Sequence, residues 1–402
     1  MIDSIFVALS GMRGHERALG VISNNVSNMN TPGFRGSSVN FTDVFFGSDV
    51  AGRAVGRQSS GGGGLDASRQ FLNLRPSDAS QTDRTLDVAL EGDGFFVLQD
   101  ENGETLYTRA GRFEVDNDEL VALGTKRKVM SRDDNGQLVP MSIADLRVSV
   151  AKRTARVTMQ GILSSGTTDG GSGGNGNHTI NSLEVYDANG VKHTLRMEFR
   201  LNTDTPPAGA LVDWNVTVFE DNLEIGTGLL EFIGPQPTLG SSPLTLTLAL
   251  NGVDPVDIEF DFEGVQVQAN TTPTMSVEQQ DGYGTGTKTG ESFDTEGVLR
   301  ITYSNGQTVS GPKLILARII DEGGLVEKGS ALFAYRGSQP IDLREAGDDL
   351  KVRGGALELS NVDLTQQFSE LILMQRGYQA SSQVITTAND MLQELLQMRG
   401  GR

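Results

Sequence analysis

The sequence contains no cysteine in 402 residues, a single tryptophan, only three histidines and 6% aromatics. Without cysteine there is no disulfide framework, no thiol nucleophile and no thiolate-held metal. His15, His178 and His193 leave little for imidazole chemistry, and each reads as a structural histidine. Positive charge is also scarce: 33 Lys and Arg face 52 Asp and Glu, a formal net charge of -19. That balance argues against nucleic acid as a partner, because phosphate neutralisation needs clustered Lys and Arg. Long apolar runs are missing as well. The longest, such as Leu371 to Met374, fall far short of the ~20 residues of a bilayer span, which argues against membrane insertion. Met1-Ile2-Asp3 has no basic n-region and no small-residue cleavage site follows it, so any export is expected to proceed without a cleavable signal peptide.

What is present divides into helical ends and a strand-rich middle. From Ile2 to Met29 apolar residues recur at Ile2, Ile5, Leu9, Met12, Leu19, Ile22, Val26 and Met29, a helical spacing broken once at His15 and Glu16. Asn30-Thr31-Pro32-Gly33 ends it. At the other end Ser360-Asn361-Val362-Asp363 fits a capping box with Asp in the Glu/Gln position. A heptad row follows through Leu364, Phe368, Leu371, Gln375, Tyr378, Ser382, Ile385, Asn389, Leu392 and Leu396. The two helices would be roughly 40 and 55 Å long. Neither has a globular neighbour in sequence, so they are expected to pack on each other or on copies of themselves. Gln375, Ser382 and Asn389 make one line of the seam hydrophilic.

Between the ends, Asn-Gly pairs at Asn102, Asn135, Asn175, Asn189, Asn251 and Asn305 punctuate the chain. Four of them join strand-like runs and read as type I′ hairpins. Leu244, Leu246, Leu248 and Leu250 alternate with smaller residues, and Asn251-Gly252 turns the chain into Asp257 to Phe262, the period-two pattern of half-buried antiparallel strands. Gly61 to Gly64, Gly170 to Asn177 and Gly282 to Gly290 read as soft joints. No Lys or Arg occurs between Leu201 and Thr287, against 13 acidic residues. The acidic middle therefore faces water while the nearly neutral ends are candidates for burial.

Several strings imitate reactive sites. Gly171 to Gly176 satisfies G-x-G-x-x-G, yet neither ends an apolar strand nor opens a helix. Gly282 to Thr289 faintly suggests a phosphate loop, but Thr287 replaces the glycine before Lys288 and no helix follows. Asp257, Glu259, Asp261 and Glu263 lie on one strand face, where they point outward instead of folding around an ion. No catalytic, cofactor or metal residue is assigned.

The termini nevertheless carry a specific resemblance. Ser10-Gly11-Met12, Leu19 and the run Ser23-Asn24-Asn25-Val26-Ser27-Asn28-Met29-Asn30-Thr31-Pro32-Gly33-Phe34-Arg35 resemble the N-terminal signature of the flagellar rod and hook family. Leu357-Glu358-Leu359-Ser360-Asn361-Val362-Asp363-Leu364 and Gln375-Arg376-Gly377-Tyr378-Gln379-Ala380 are similar to its closing segment. Gly92 to Val97 and Tyr107 to Phe113 look like the domain shared by rod and hook subunits. An insertion of about 140 residues between Leu146 and Gly284, with hook-like motifs at Val185 to Gly190, His193 to Leu195 and Trp214 to Val216, points to the hook members. Departures are Ser27, where the family has Ala, Gly377, where it has a bulkier residue, and the loosely matching 335–353.

The resemblance implies an α+β chain. Terminal helices would form a coiled-coil-like inner tube domain (1–30 with 360–402), followed by a linker (31–70). Outside it would lie two nested, mainly antiparallel β domains, a middle one (71–145 with 285–359) and an outer one (146–284). It further implies an extracellular structural subunit that self-assembles into a curved tube. That tube would act as a universal joint between rod and filament around a central export channel. Its partners would be copies of itself, the distal rod protein, the hook-cap protein and the hook-filament junction protein, and the flagellar type III apparatus would export it. Assembly contacts are assigned to Ile5, Leu9, Met12, Leu19, Ile22, Val26, Leu364, Phe368, Leu371, Tyr378, Ile385, Leu392 and Leu396. The motif residues Ser10, Gly11, Ser23, Asn24, Asn25, Asn28, Thr31, Pro32, Gly33, Phe34, Ser360, Asn361, Val362, Asp363, Gln375, Arg376, Gln379 and Ala380 include the expected hinge. A distal-rod-type subunit and a secreted β-rich binding protein remain as alternatives.

Overall fold

In a computed structural model of the chain the two apolar rows fold as helices α1 (Ile2–Ser27) and α2 (Leu364–Gly400). The structure describes residues 2–45, 62–133, 135–165, 177–202, 211–238, 242–250, 252, 254–269, 271–347 and 350–400. The chain divides into two compact units, one of 1–145, 291–301 and 309–402, the other of 146–290 and 302–308.

In the first unit α1 and α2 run antiparallel. Gly11 lies against Ser381, His15 against Gly377, and Asn25 against Gln367. Small residues decide this seam. A Cβ on Gly377 would stand 2.5 Å from His15 Cε1, and one on Gly11 3.2 Å from Ser381 Oγ. One heptad on from Gly11 and Ser381, Ala18 and Ala388 are buried. The heptad row read from the sequence is therefore only half right. Leu371, Ile385 and Leu392 are partly buried, but Phe368, Gln375, Tyr378, Asn389 and Leu396 are exposed. Gln367, Met374, Ser381 and Ala388 take the facing positions instead, since a close approach of two helices favours small side chains over bulky ones. His15, which interrupts the apolar spacing of α1, lies in the seam with Nδ1 3.4 Å from Met374 Sδ.

The capping box is also corrected. Asp363 itself caps α2, its Oδ1 accepting the N–H groups of Thr365 (2.8 Å) and Gln366 (3.2 Å), while the Ser360 hydroxyl has no such role. A carboxylate one residue before the first turn also meets the positive end of the helix dipole. The segment expected as a linker carries strands in its described residues: Ser37–Val39 pairs with Gln70–Leu72, and Thr42–Phe45 with Gly62–Asp66. The body of the unit is an antiparallel sheet. Its path runs through Leu325–Gly329, Leu332–Tyr335, Thr105–Thr108, Phe95–Gln99, Lys128–Arg132, Glu119–Ala122 and Phe113–Asp116.

The second unit holds two sheets over one apolar core. A five-stranded antiparallel sheet (His178–Tyr186, Lys192–Leu201, Leu211–Glu220, Leu223–Ile233, Gln236–Pro237) supplies Leu195, Met197, Phe199 and Trp214. A four-stranded sheet (Leu244–Leu248, Val256–Gln268, Arg156–Ser164, Ser276–Gln280) supplies Ile258, Phe260 and Phe262. Within it Arg156–Ser164 runs parallel to Val256–Gln268, an exception to the expected antiparallel pattern. The carboxylate row on Val256–Gln268 is engaged by its own sheet. Glu259 pairs with Arg156 at 2.8 Å, Asp257 accepts from Thr247 Oγ1 at 2.6 Å, and Asp261 accepts the Glu263 N–H at 3.0 Å. Of the three soft joints, Gly170 to Gly176 and Gly61 lie outside the described residues. Of Gly282 to Gly290, the residues from Gly286 onward are strand, Tyr283 bridges Lys152, and Gly282 is so close to Thr154 that a Cβ would sit 2.2 Å from its hydroxyl.

The Asn-Gly hairpins have a different geometry from the one expected. The two-residue turns with both φ values positive are Asn117-Asp118, Asp221-Asn222 and Ser330-Ala331. At Asn102, Asn135, Asn189 and Asn305 only the glycine has positive φ, so each loop is one residue longer and ends in a left-handed glycine. Asp100, Asp133 and Asp187 explain three of them, and Asp294 builds a fourth loop around Glu296-Gly297. Each carboxylate accepts the N–H groups two and four residues ahead, as Asp187 does from Asn189 (2.9 Å) and Val191 (2.8 Å). Such an Asx cap closes the longer turn without requiring positive φ at Asn. Asn175 and Asn251 lie outside the described residues.

These caps are acid-sensitive. The Glu104 N–H holds Asp100 below the usual carboxylate range. For Asp187 and Asp294, burial pushes upward but is outweighed by the N–H groups of Val191 and Val298 respectively, with His193 and Arg300 assisting, and both are lowered. A lowered folded pKa gives stability that is present above the unfolded value, about 3.9, and lost as pH falls through the folded one. Thermal unfolding should therefore show the full contribution of these groups, without pH dependence, between pH 7 and 5 and a loss below about pH 4. Asp187→Asn, which keeps an acceptor but cannot titrate, should shallow that acid limb. An unchanged limb would remove Asp187 from the account.

Candidate functional site at the helix-body junction

The residues that connect α1 and α2 to the β body form one hydrogen-bonded knot. At its centre Glu358, at the end of the short strand Ala356–Glu358, is fully buried between two fully buried arginines. Glu358 Oε1 accepts from Arg35 Nη2 at 2.6 Å and from the Ser77 N–H at 2.8 Å, and Oε2 accepts from Arg109 Nη1 at 3.3 Å. Arg109 also donates to the Gly92 carbonyl at 2.5 Å. Burial pulls the Arg109 guanidinium down to about 10 against the opposing pull of Glu358, so it stays charged at neutral pH. Three distant stretches of sequence are thus tied by charge in a place water does not reach, where an ion pair is strong only while it is complete.

Two amides reinforce the knot. Buried Asn25, on the last turns of α1, makes a two-point bond to the backbone of Ser37, accepting its N–H at 3.0 Å and donating to its carbonyl at 2.7 Å. It also donates to Gln367 Oε1 on α2 at 2.9 Å. Asn361 accepts the Gly36 N–H at 2.8 Å and donates to the carbonyls of Asn73 (2.6 Å) and Arg75 (3.0 Å). Gly33 is required where it stands. Its φ is +70°, its N–H donates to the Glu358 carbonyl at 2.8 Å, and a Cβ would lie 2.4 Å from the Ala110 nitrogen. Phe34 is buried, and Val362 packs against Gly36. Far from being loosely connected, the segment expected as a hinge is bonded on both sides.

Other motif residues stay outside the knot. Asn28 Nδ2 donates to the Asn24 carbonyl and Oδ1 within the helix end, Ser27 Oγ donates to the Ser23 carbonyl, and Thr31 Oγ1 donates to Asn28 Oδ1. Pro32 is half-buried at the turn. Ser10 accepts the Leu65 N–H at 2.9 Å, tying α1 to the strand Gly62–Asp66. Gln375, Arg376, Gln379 and Ala380 are exposed on α2. Of the residues assigned to assembly contacts, Ile22 is buried, while Ile5, Leu9, Met12, Leu19, Val26 and Leu364 are half-buried. Arg35, Arg109 and Glu358 all lie within the motif stretches that carry the family resemblance, yet the sequence assigns them no role. A charged residue between leucines in Leu357-Glu358-Leu359 was the available signal, but its partners lie hundreds of residues away.

Outside the knot, His193 bridges two carboxylates, with Nδ1 2.5 Å from Glu220 Oε1 and Nε2 3.6 Å from Asp187 Oδ2. His178 Nε2 lies 2.7 Å from the Met275 carbonyl. Among the described residues no three His, Asp or Glu side chains are grouped to hold a metal ion, and no helix is long and apolar enough to cross a membrane.

Paired terminal helices fixed to a β body, with a second β unit inserted in the body's sequence, define a subunit of the flagellar rod and hook class. Family models match in chain order: "Flagella basal body rod protein" over 5–35, "Flagellar hook protein FlgE/F/G D1 domain" over 89–151, "Flagellar basal body protein FlaE D2 domain" over 174–310, and "Flagellar basal body rod FlgEFG protein C-terminal" over 353–398. The flagellar hook protein FlgE of Borreliella burgdorferi is 28% identical, with 99% of this chain and all of that one covered. The FlgE of Escherichia coli K12 is 27% identical over 98% of this chain and 99% of its own. The solved structure of Helicobacter pylori flagellar hook protein FlgE2 shares the fold, with a TM-score of 0.50 and 12% identity over 71% of this chain and all of that one. The chain belongs to the flagellar hook protein family, a structural family of the bacterial flagellum and not a family of enzymes.

Proposed function

We propose that the chain is the repeating subunit of the hook, polymerising into a flexible curved tube that transmits torque from rod to filament around a central export channel. The observation that carries this reading is a long helix bearing more apolar side chains than α1 covers. α1 covers the seam of α2, yet Phe368, Ile372, Leu373, Val384 and Leu396 remain in water on a helix fixed to the body by the buried knot. Exposed apolar side chains spread around a rigid element in this way are satisfied by packing against further copies. In this reading 1–30 with 360–402 form the inner helical domain, 71–145 with 285–359 the middle domain and 146–284 the outer one. Neighbouring components would be the distal rod, hook-cap and hook-filament junction proteins, with export by the flagellar type III apparatus. Electron microscopy of the purified chain with added salt tests it: curved tubes are expected, and monodisperse monomer under every condition would overturn it.

A further inference from the structure

The register of the helix pair leaves α2 longer than α1 can cover. Asn25 opposite Gln367 and Gly11 opposite Ser381 bring the first turn of α1 level with residues 388–390. Residues 391–400 of α2 therefore run past it by about 15 Å. The side chains change at that point. The facing column reads Ser381 and Ala388 where α1 packs closely, then Leu395 where α1 has ended, and Met391, Leu396 and Met398 stand exposed beside it, Met398 at 79%.

Further along the same helix pair lies an apolar groove that none of the described residues fills. It is lined by Val7, Ala8 and Gly11 of α1, Val384 of α2, and Phe41 and Leu65 beside the strands that pack on α1, with a volume of about 810 Å³. The overhang cannot reach this groove in its own chain, because α2 is one continuous helix leading away from it. We propose that the overhang of one copy, residues 391–398, docks in the groove of a second copy; this rests on the polymer reading above. The contact continues an interface already made by α1 and α2, and it matches exposed apolar side chains to an apolar cleft. Because overhang and groove are different surfaces, docking can repeat head to tail from copy to copy, and it builds a helical filament where the rotation between copies does not close a ring.

The absence of cysteine makes a clean test. Val7→Cys and Leu396→Cys chains are mixed, polymerised and oxidised, since a disulfide reports approach of the two Cα atoms to within about 7 Å. A crosslinked product should form in about ten-fold higher yield than from Gln137→Cys, exposed on the β body, with Leu396→Cys, because only the first pair is held together by docking. Ser4→Cys with Met398→Cys, both at exposed or half-exposed sites, provides a second pair. Polymers in which both pairs crosslink only at the control level would overturn the docking while leaving the polymer reading intact. Failure of the unaltered chain to polymerise would overturn the polymer reading itself.

Discussion

Glu358→Ala is expected to destabilise the helix-bearing unit by about 3–5 kcal/mol, the effect of leaving buried charge without its partner. Arg35 and Arg109 are both fully buried and share this one carboxylate. Three of their nitrogens, Arg35 Nε and Nη1 and Arg109 Nε, already lack a hydrogen-bond partner. Removing Glu358 would also orphan the Ser77 N–H. Glu358→Gln should fall between wild type and Ala, because the amide oxygen can still accept while the charge is gone. Chemical denaturation read by circular dichroism measures both variants. A transition arising from the 146–290 unit, which contains none of these partners, should not move. A loss below about 1 kcal/mol for Glu358→Ala would mean that water or local rearrangement solvates the arginines, and the knot would not be the anchor described above.

The second large effect is expected in the seam between the two helices. Gly377→Ala should destabilise the helix pair, although alanine is the better helix former by about 1 kcal/mol. The added Cβ would lie 2.5 Å from His15 Cε1 and 2.6 Å from Nε2, and such overpacking costs about 1–3 kcal/mol. In a His15→Ala background the same change should become stabilising, because the space is free and only helix propensity remains. The coupling in this double-mutant cycle should exceed about 1 kcal/mol. Equal effects of Gly377→Ala in both backgrounds would show that the ring simply swings aside. The cycle also bears on why His15 interrupts the apolar spacing of α1, since its ring fills the space left by Gly377 on α2.

Much of the molecule was determined locally and was therefore legible in the sequence. The two helices follow from apolar residues recurring every three or four positions, and α1 ends at Ser27, just before Asn30-Thr31-Pro32-Gly33, because proline lacks a donor and Gly33 takes a positive φ. The strands of the second unit follow from alternation, as in Lys192–Leu201, where His193, Leu195, Met197 and Phe199 point inward. Family membership rested on contiguous motifs at both ends and needed no fold.

Tertiary structure alone decided which face of each helix is covered, since two overlapping apolar rows run along α2. The choice between them depends on the small residues Gly11 and Gly377 meeting larger partners across the seam. It alone decided the turn geometry, because an Asn-Gly pair is compatible with either loop length until an aspartate two residues earlier claims the backbone N–H groups. And it alone assembled Arg35, Arg109 and Glu358. A buried ion pair has no period and no local spacing, and its energy comes from a low-dielectric site that exists only once the chain ends have met.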